Sequence, residues 1–193
     1  MTLTFVKAHA YGNDFLFIEQ HLVSNEQARR LSQVVCDRHL GVGADGVVFY
    51  RQTANGAVMK LFNADGSAAE VSGNGVRCLG AILVDALDPG KSRQRQADEI
   101  QIETDGGIKR LTLLEADPPR YTFRTYMGEP IGLERRVLEV ERESVDVVTL
   151  SIGNPQCVVL ASGLDPDQFA RLGPLLATHK ILHLYAWSLK VAC

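Results

Sequence analysis

Residues Ser72–Val84, with the sequence SGNGVRCLGAILV, decide which fold the chain is expected to adopt. After Gly75 the apolar residues fall on nearly every side of a helix that continues to about Leu87, where the turn at 88–90 ends it. A helix that is apolar almost all round is a buried helix. We therefore expect residues 73–87 to form a central helix around which the other elements pack.

Strand-like segments stand on both sides of this helix along the sequence. Alternating or continuous apolar residues predict strands at 5–8, 15–19, 47–50, 58–62, 99–103, 108–114, 121–126, 145–152 and 158–161. Helices are expected at about 25–37, capped by Ser24 or Asn25, and at 166–176. In the first of these, the 3–4 spacing predicts a buried apolar stripe of Ala28, Leu31, Val34 and Val35. Because strands follow one another instead of alternating with helices, the sequence predicts an α+β fold with strands wrapped around the buried helix.

The pair Pro118-Pro119 marks the expected boundary between two domains. The sequence predicts an N-terminal domain at 1–117, a partial second domain at 118–180 that begins in the same way, and an atypical tail at 181–193.

Composition and charge exclude several classes of protein. Hydrophobic residues make up 46% of the chain, and the formal net charge is -3, so no strong field attracts nucleic acid or anionic lipid. No apolar run reaches the ~18 residues of a membrane helix, and Met1–Lys7 lacks the apolar core of a signal peptide. We expect a cytoplasmic protein without nucleic-acid or membrane partners. Its four cysteines lack CxxC spacing and are expected to be reduced thiols rather than zinc ligands.

Gly-Asn pairs recur at the ends of apolar runs. They occur at Gly12-Asn13, Gly73-Asn74 and Gly153-Asn154, and the turn-rich segment 63–67 follows a strand. Glycine lets a ligand approach the backbone closely, and asparagine offers both donors and an acceptor, as a small zwitterionic ligand requires. Each pair alone is equally typical of a tight turn. Their repetition favours a ligand site.

Ser72 stands where the buried helix begins. The N–H groups and the positive end of the dipole at such a position bind a carboxylate, and they would lower the pKa of a thiol placed there. A serine at this point is also an ordinary N-cap. Both interpretations stay open on the residues alone.

Five ordered segments resemble the successive motifs of the diaminopimelate epimerase family. They are KAHAYGNDF at 7–15, RHLGVGADG at 38–46, FNADGS at 62–67, GNGVRC at 73–78 and GNP at 153–155. Their order and spacing are similar to the family pattern over about residues 3–176.

The resemblance implies two pseudo-symmetric domains, each with strands around a central helix, and a substrate cleft between them. It implies the interconversion of LL- and meso-diaminopimelate for lysine and peptidoglycan synthesis, without pyridoxal phosphate, any other cofactor or metal. One cysteine per domain exchanges the α-proton on opposite faces of the substrate. It also implies a homodimer acting on a small amino acid. The family's substrate-binding positions correspond here to Asn13, Asn63, Gly73, Asn74 and Asn154.

Two departures from the family pattern put activity in doubt. The first catalytic cysteine is replaced by Ser72, whose hydroxyl is a much weaker acid than a thiol and a poor base without an activating neighbour. Arg77 cannot be that base, and Cys78 points well away from Ser72 and is expected in the core. The segment with the second cysteine does not occur in the 193 residues, and the match decays after His179. We expect an incomplete second domain and impaired activity. A frameshift or premature stop is the plainest origin of the tail, and a genuine amphipathic terminal segment is the alternative. Cys193 in the tail lacks the glycines and the following helix that surround the family's second cysteine.

Two other functions stay open. One keeps the fold but changes the reaction, because a hydroxyl residue in place of a cysteine is associated with dehydration of hydroxyproline-type substrates in the wider proline racemase-like group. The other is a non-catalytic fragment or binding module.

Overall fold

The computed structural model describes residues 3–19, 24–86, 99–153, 155–163, 165–180 and 188–192. The chain divides into two compact units, Met1–Gly128 and Glu129–Cys193. Each is described by itself below.

An eight-stranded sheet and two helices make up the first unit. The strands are β1 (Val6–Ala10), β2 (Asn13–Glu19), β3 (Gly46–Thr53), β4 (Gly56–Asn63), β5 (Ala68–Ala69), β6 (Glu99–Thr104), β7 (Gly107–Asp117) and β8 (Arg120–Tyr126), and the helices are α1 (Asn25–Val35) and α2 (Gly73–Asp85). The strand order is β1-β2-β3-β4-β6-β7-β8, with β5 paired to β4. The pairs β2–β3 and β4–β6 are parallel, and the remaining pairs are antiparallel.

Helix α2 is the buried helix that the sequence predicts. Its residues Val76, Cys78, Leu79 and Leu83 form one core with apolar side chains from five strands, namely Phe15, Phe17, Val48, Tyr50, Ala57, Met59, Leu61, Ile102 and Leu111. At Gly80 the packing is close, because a Cβ would lie 2.8 Å from the Cδ2 atom of Leu111. The sheet therefore wraps around α2, and the expected turn at 88–90 lies outside the described residues.

Helix α1 covers the opposite face of the first sheet. Ser24, one of the two predicted caps, is its N-cap and forms a capping box with Gln27. Ala28 is buried against strand residues such as Leu16 and Phe62 in a second core cluster. Val34, which the periodicity assigned to the apolar stripe, is instead 66% exposed. The two sides of the first sheet thus carry one helix each.

Four strands and one helix make up the second unit. They are β9 (Ile131–Val140), β10 (Glu143–Ser151), β11 (Pro155–Leu160), α3 (Pro166–Ala177) and β12 (Ser188–Ala192), with the strand order β12-β11-β10-β9. Strand β9 was missed by sequence patterning, and β12 lies inside the atypical tail. The core between the sheet and α3 consists of Leu138, Val140, Val145, Val147, Cys157, Leu172 and Leu176. Among the described residues, α3 is the one helix on this sheet, while Ile131, Leu133 and Val137 are exposed.

The division between the units falls at Gly128/Glu129 rather than at the expected 117/118. Pro118-Pro119 forms the turn of the β7–β8 hairpin. This hairpin completes the sheet around α2, since Phe123 of β8 packs against the α2 core. No helix within the described part of the chain is long and apolar enough to cross a membrane.

Candidate active site

Ser72 is the N-cap of α2. Its backbone is extended (φ -130°, ψ 120°), and its Oγ accepts a hydrogen bond from the backbone N–H of Gly75 at 3.1 Å. The Ser72 carbonyl accepts the first intrahelical bond from Val76 at 2.8 Å. The N–H groups of Gly73 and Asn74 therefore precede the first intrahelical bond, at the positive end of the helix dipole.

Three strand ends lie together beside this helix end. Strand β2 begins at Asn13, β3 begins at Gly46, and β4 ends at Asn63, whose Cα is in register with Gly46. Side chains alternate along a strand, so Asn13 shares a face with Phe15, and Asn63 shares a face with Leu61. Both of these apolar residues pack against α2. Asn13 and Asn63 thus occupy the same face and the same end of the sheet.

Asn13 and Asn74 are joined in a chain of four side chains that we call the amide relay, formed by Arg77, Asn74, Asn13 and Asp45. Arg77 Nη2 donates to Asn74 Oδ1. Asn74 Nδ2 donates to Asn13 Oδ1 at 3.1 Å, and Asn13 Nδ2 donates to Asp45 Oδ2 at 2.8 Å. The relay connects the first turn of α2 with the start of β2.

The other predicted site residues, Asn63, Gly73 and Asn154, are not members of the relay. Asn63 Nδ2 donates to Ser67 Oγ at 2.9 Å, inside the turn that follows β4. That turn is tied to the relay segment, because the backbone N–H of Ala64 donates to the Asp45 carbonyl at 3.0 Å. Gly73 precedes Asn74 in the first turn of α2. Asn154 lies outside the described residues.

A charged cluster supports the Asp45 end of the relay. Arg38 pairs with both Asp14 (2.7 Å) and Asp45 (2.8 Å), and Lys7 lies 3.2 Å from Asp14. The hydrogen bond from Arg38, with a further one from Lys7, holds the pKa of Asp14 well below its usual range against the opposing effect of burial. Sequence patterning gave these residues no role, although charged residues inside Gly- and Asn-rich motifs were the signal that could have found them.

The low pKa of Asp14 makes stability sensitive to acid. A carboxylate whose folded pKa is depressed stabilises the fold above its unfolded pKa of about 4, and this contribution is lost as pH falls toward the folded pKa. We expect Asp14→Asn to unfold at lower urea concentration than the unchanged chain at pH 7, with a gap that narrows below about pH 4.

Urea unfolding at pH 7 and below about pH 4 measures this difference in unfolding midpoint between Asp14→Asn and the unchanged chain. Arg38→Met, which removes the main cause of the shift, should behave like Asp14→Asn, whereas Arg30→Met on α1 should keep the full acid dependence. A gap of equal size at both pH values would contradict the assignment.

The described cysteines do not provide a thiolate near Ser72. Cys36, Cys78 and Cys157 are buried free thiols. Burial raises the pKa of Cys36 and of Cys78 to about 11 and also raises that of Cys157. The expected place of Cys78 in the core is confirmed. Within the described residues no group of three or more His, Cys, Asp or Glu side chains is arranged to hold a metal ion.

A family model and several curated relatives match the sequence under one shared description. A family model described as "Diaminopimelate epimerase" matches residues 5–132. The diaminopimelate epimerase of Pelotomaculum thermopropionicum is 37% identical over 192 residues, covering 91% of this chain and 66% of its own length. That of Nostoc punctiforme is 35% identical over 197 residues, covering 93% and 68%. The chain spans about two thirds of the length of the curated relatives it matches.

Solved structures share the fold at low sequence identity. A probable proline racemase from Agrobacterium radiobacter has a TM-score of 0.61 and 14% identity, covering 82% of this chain and 52% of its own. A hydroxyproline epimerase from Agrobacterium vitis has a TM-score of 0.61 and 13% identity, covering 87% and 55%. At such identity the likeness shows the fold alone, and the predicted α+β class is confirmed.

Proposed function

Since this chain belongs to the diaminopimelate epimerase family, we propose that its first unit binds an amino-acid carboxylate at the N-terminus of α2. We further propose that the protein is built for cofactor-independent interconversion of LL- and meso-diaminopimelate in lysine biosynthesis. One observation carries the proposal: Asn13 and Asn74, from separate motifs, meet in one relay beside the capped helix end at Ser72.

The helix end provides what carbanion formation at an α-carbon requires. The α-proton of an amino acid is very weakly acidic, so fixed N–H dipoles must stabilise the negative charge that develops toward the carboxylate. The N–H groups of Gly73 and Asn74 stand at the positive end of α2. Binding the carboxylate there places the α-carbon beside Ser72.

Gly73 supports this position for the ligand. A Cβ at Gly73 would lie 3.6 Å from Arg77 Nη1 and 3.7 Å from Met127 Cε, which are ordinary contacts. Its φ is not in the left-handed region. Packing and backbone conformation therefore do not require glycine at position 73, whereas close approach of a carboxylate to the backbone does.

Ser72 limits the chemistry. Its hydroxyl can donate a proton or hold a water molecule, but it removes an α-proton poorly because its conjugate base is too unstable at neutral pH. The buried cysteines of the described region have raised pKa values and cannot replace it. We propose that the 193-residue chain retains carboxylate binding and is impaired in proton abstraction.

Calorimetric titration with LL-diaminopimelate tests the binding step. We expect saturable binding to the unchanged chain and a loss of about 10-fold or more in affinity for Asn74→Ala, since one or more hydrogen bonds to a charged group are removed. Asn25→Ala, which removes an exposed carboxamide at the start of α1, should bind as the unchanged chain does. Equal affinity for L-proline, or equal losses in both variants, would contradict the assignment.

The hydroxyl at position 72 favours one second candidate, a hydroxyproline dehydratase or racemase of the same fold. In that case the serine would serve a dehydration and not the abstraction step of epimerisation. Incubation with trans-4-hydroxy-L-proline and detection of the dehydrated product would distinguish it. Binding of diaminopimelate without turnover of either substrate would favour a non-catalytic fragment.

The proposal extends to assembly and location. Strand β1 is the edge of the first sheet, and its first residue Val6 and the preceding Phe5 are exposed, which supports a homodimer through this edge. Sedimentation equilibrium is expected to give twice the chain mass, with a return toward monomer in Val6→Lys. The three described free thiols support a cytoplasmic location.

A further inference from the structure

We propose that Arg77 and Asp45 are positioning residues that set the direction of the amide relay, so that Asn74 and Asn13 present N–H donors to an anionic ligand. The part of this inference that concerns the ligand rests on the proposed function. The part that concerns the relay rests on the chemistry of its two ends.

The two ends of the relay have opposite hydrogen-bonding character. A guanidinium carries only donors, and an ionised carboxylate only acceptors. Arg77 must therefore face the oxygen of Asn74, and Asp45 must face the nitrogen of Asn13.

The middle bond of the relay has no direction of its own. If both amides turned over together, Asn13 would donate to Asn74 and the Asn–Asn bond would persist. The reversed arrangement would, however, bring the Asn74 NH₂ group against the Arg77 guanidinium and the Asn13 oxygen against the Asp45 carboxylate. The first contact sets two donors against each other, and the second sets two acceptors against each other. Each leaves a charged group without its hydrogen bond in the relay. The ends thus decide between two arrangements that the asparagines alone would populate equally.

Further contacts anchor both ends. Asp45 Oδ2 also accepts from the backbone N–H of Asp14 at 3.0 Å, and its Oδ1 accepts from Arg38 at 2.8 Å. At the other end the Arg77 guanidinium lies 5.9 Å from the ring centroid of Tyr11. Arg77 is also three residues from Asn74 in α2, so the two side chains share one face of the helix. Neither end is held by the relay bond alone.

The relay direction determines what the asparagines offer a ligand. Each carboxamide uses one N–H within the relay and keeps a second. The arginine draws electron density from the Asn74 oxygen, and hydrogen bonds in a chain polarise one another in the same sense. Accepting this bond makes the remaining N–H of Asn74 a better donor, and both amide oxygens already accept one relay bond. This matches a carboxylate and disfavours an ammonium group.

Side-chain amide signals in ¹H–¹⁵N spectra of the ligand-free chain test the relay. In Arg77→Met the Asn13 carboxamide signals should shift although Arg77 does not bond to Asn13, and Arg77→Lys, which keeps a charged donor, should restore them in large part. The isosteric Asp45→Asn should shift the signals of Asn74 from the opposite end. Arg30→Met, an exposed arginine paired with Glu26 on α1, is the matched control and should move neither.

Unchanged Asn13 signals in a folded Arg77→Met variant, or unchanged Asn74 signals in a folded Asp45→Asn variant, would overturn the proposal. Because the two variants perturb the relay from opposite ends, misfolding of one leaves the other decisive.

Affinity for LL-diaminopimelate tests the consequence for the ligand. Arg77→Met and Asp45→Asn should each weaken binding by about 10-fold, and the double variant should also lose about 10-fold, since either change already releases the relay. Independent structural roles would instead give about 100-fold in the double variant, which would refute the coupling. Absence of binding in the unchanged chain would defeat the proposed function, while the spectra would still decide whether the relay is set by its ends.

Discussion

Replacing Ser72 with cysteine is expected to raise the rate of α-proton exchange of LL-diaminopimelate by roughly 10²–10⁴-fold, the range for a well-positioned general base. A thiol at the N-terminus of a helix has a lowered pKa, so a large fraction is thiolate at neutral pH. The hydroxyl of Ser72 has no comparable ionised fraction. The loss of the serine cap should lower stability by only about 1 kcal/mol, because the thiolate can accept the same N–H of Gly75.

Mass spectrometry of substrate recovered from deuterated water measures this exchange, even where no net inversion occurs. Ser144→Cys is the matched control and should not promote exchange, because Ser144 is an exposed residue of β10 that caps no helix. Rapid exchange in the unchanged chain that disappears in Ser72→Ala would show that serine itself is the base. Exchange that survives Ser72→Ala and disappears in Cys193→Ala would assign the role to the tail.

Alkylation by iodoacetamide gives a second readout of the same variant without any substrate. The new thiol at position 72 should react with a midpoint below the usual cysteine pKa of about 8.5. Cys36 and Cys78, whose pKa is raised to about 11, serve as internal controls and should stay largely unmodified at neutral pH. A midpoint at or above the usual value would mean that the helix end does not stabilise a negative charge.

Shortening Leu79 to alanine is expected to lower the free energy of unfolding by about 2–5 kcal/mol, the usual result of deleting a fully buried leucine side chain. Leu79 is 0% exposed and belongs to the core between α2 and the first sheet. The variant replaces no residue of the candidate site. It should nevertheless destabilise helix α2, which carries Asn74 and Arg77 and is capped by Ser72.

Urea unfolding at pH 7 measures the change, with Val34→Ala as control. Val34 is 66% exposed on α1, so its truncation should alter stability by no more than about 0.5 kcal/mol. Similar effects in the two variants would contradict the assignment of α2 as the central buried helix.

Residues close together in the sequence were sufficient to predict that α2 is a buried helix and that Ser72 caps it. The apolar run after Gly75 predicts burial wherever the helix lies, and a serine before Gly-Asn-Gly predicts a cap, because both depend on neighbours within one helical turn. The capping box of Ser24 and Gln27 is of the same kind. Such features could be predicted because sequence distance and spatial distance coincide.

Features that depend on distant partners could not be predicted in the same way. Strand β9 is mostly exposed and carries several charges, so it has little of the alternation that marks a strand; it forms because β10 provides the antiparallel partner. Val34 has the spacing of a buried residue, but the packing of α1 turns it toward solvent. Pro118-Pro119 has the composition of a linker, and the pairing of β7 with β8 makes it a hairpin turn.

The sequence by itself determined the strand-rich α+β class, the buried helix, the serine at its start and the asparagine motifs resembling one enzyme family. Only the tertiary structure decided that Asn13 and Asn74, 61 positions apart, share a hydrogen bond, and that Arg77 and Asp45 close the two ends of their relay. The reason is physical: helix burial and capping follow from residues a few positions apart. The direction of a side-chain amide depends on which charged groups the folded sheet brings to each end.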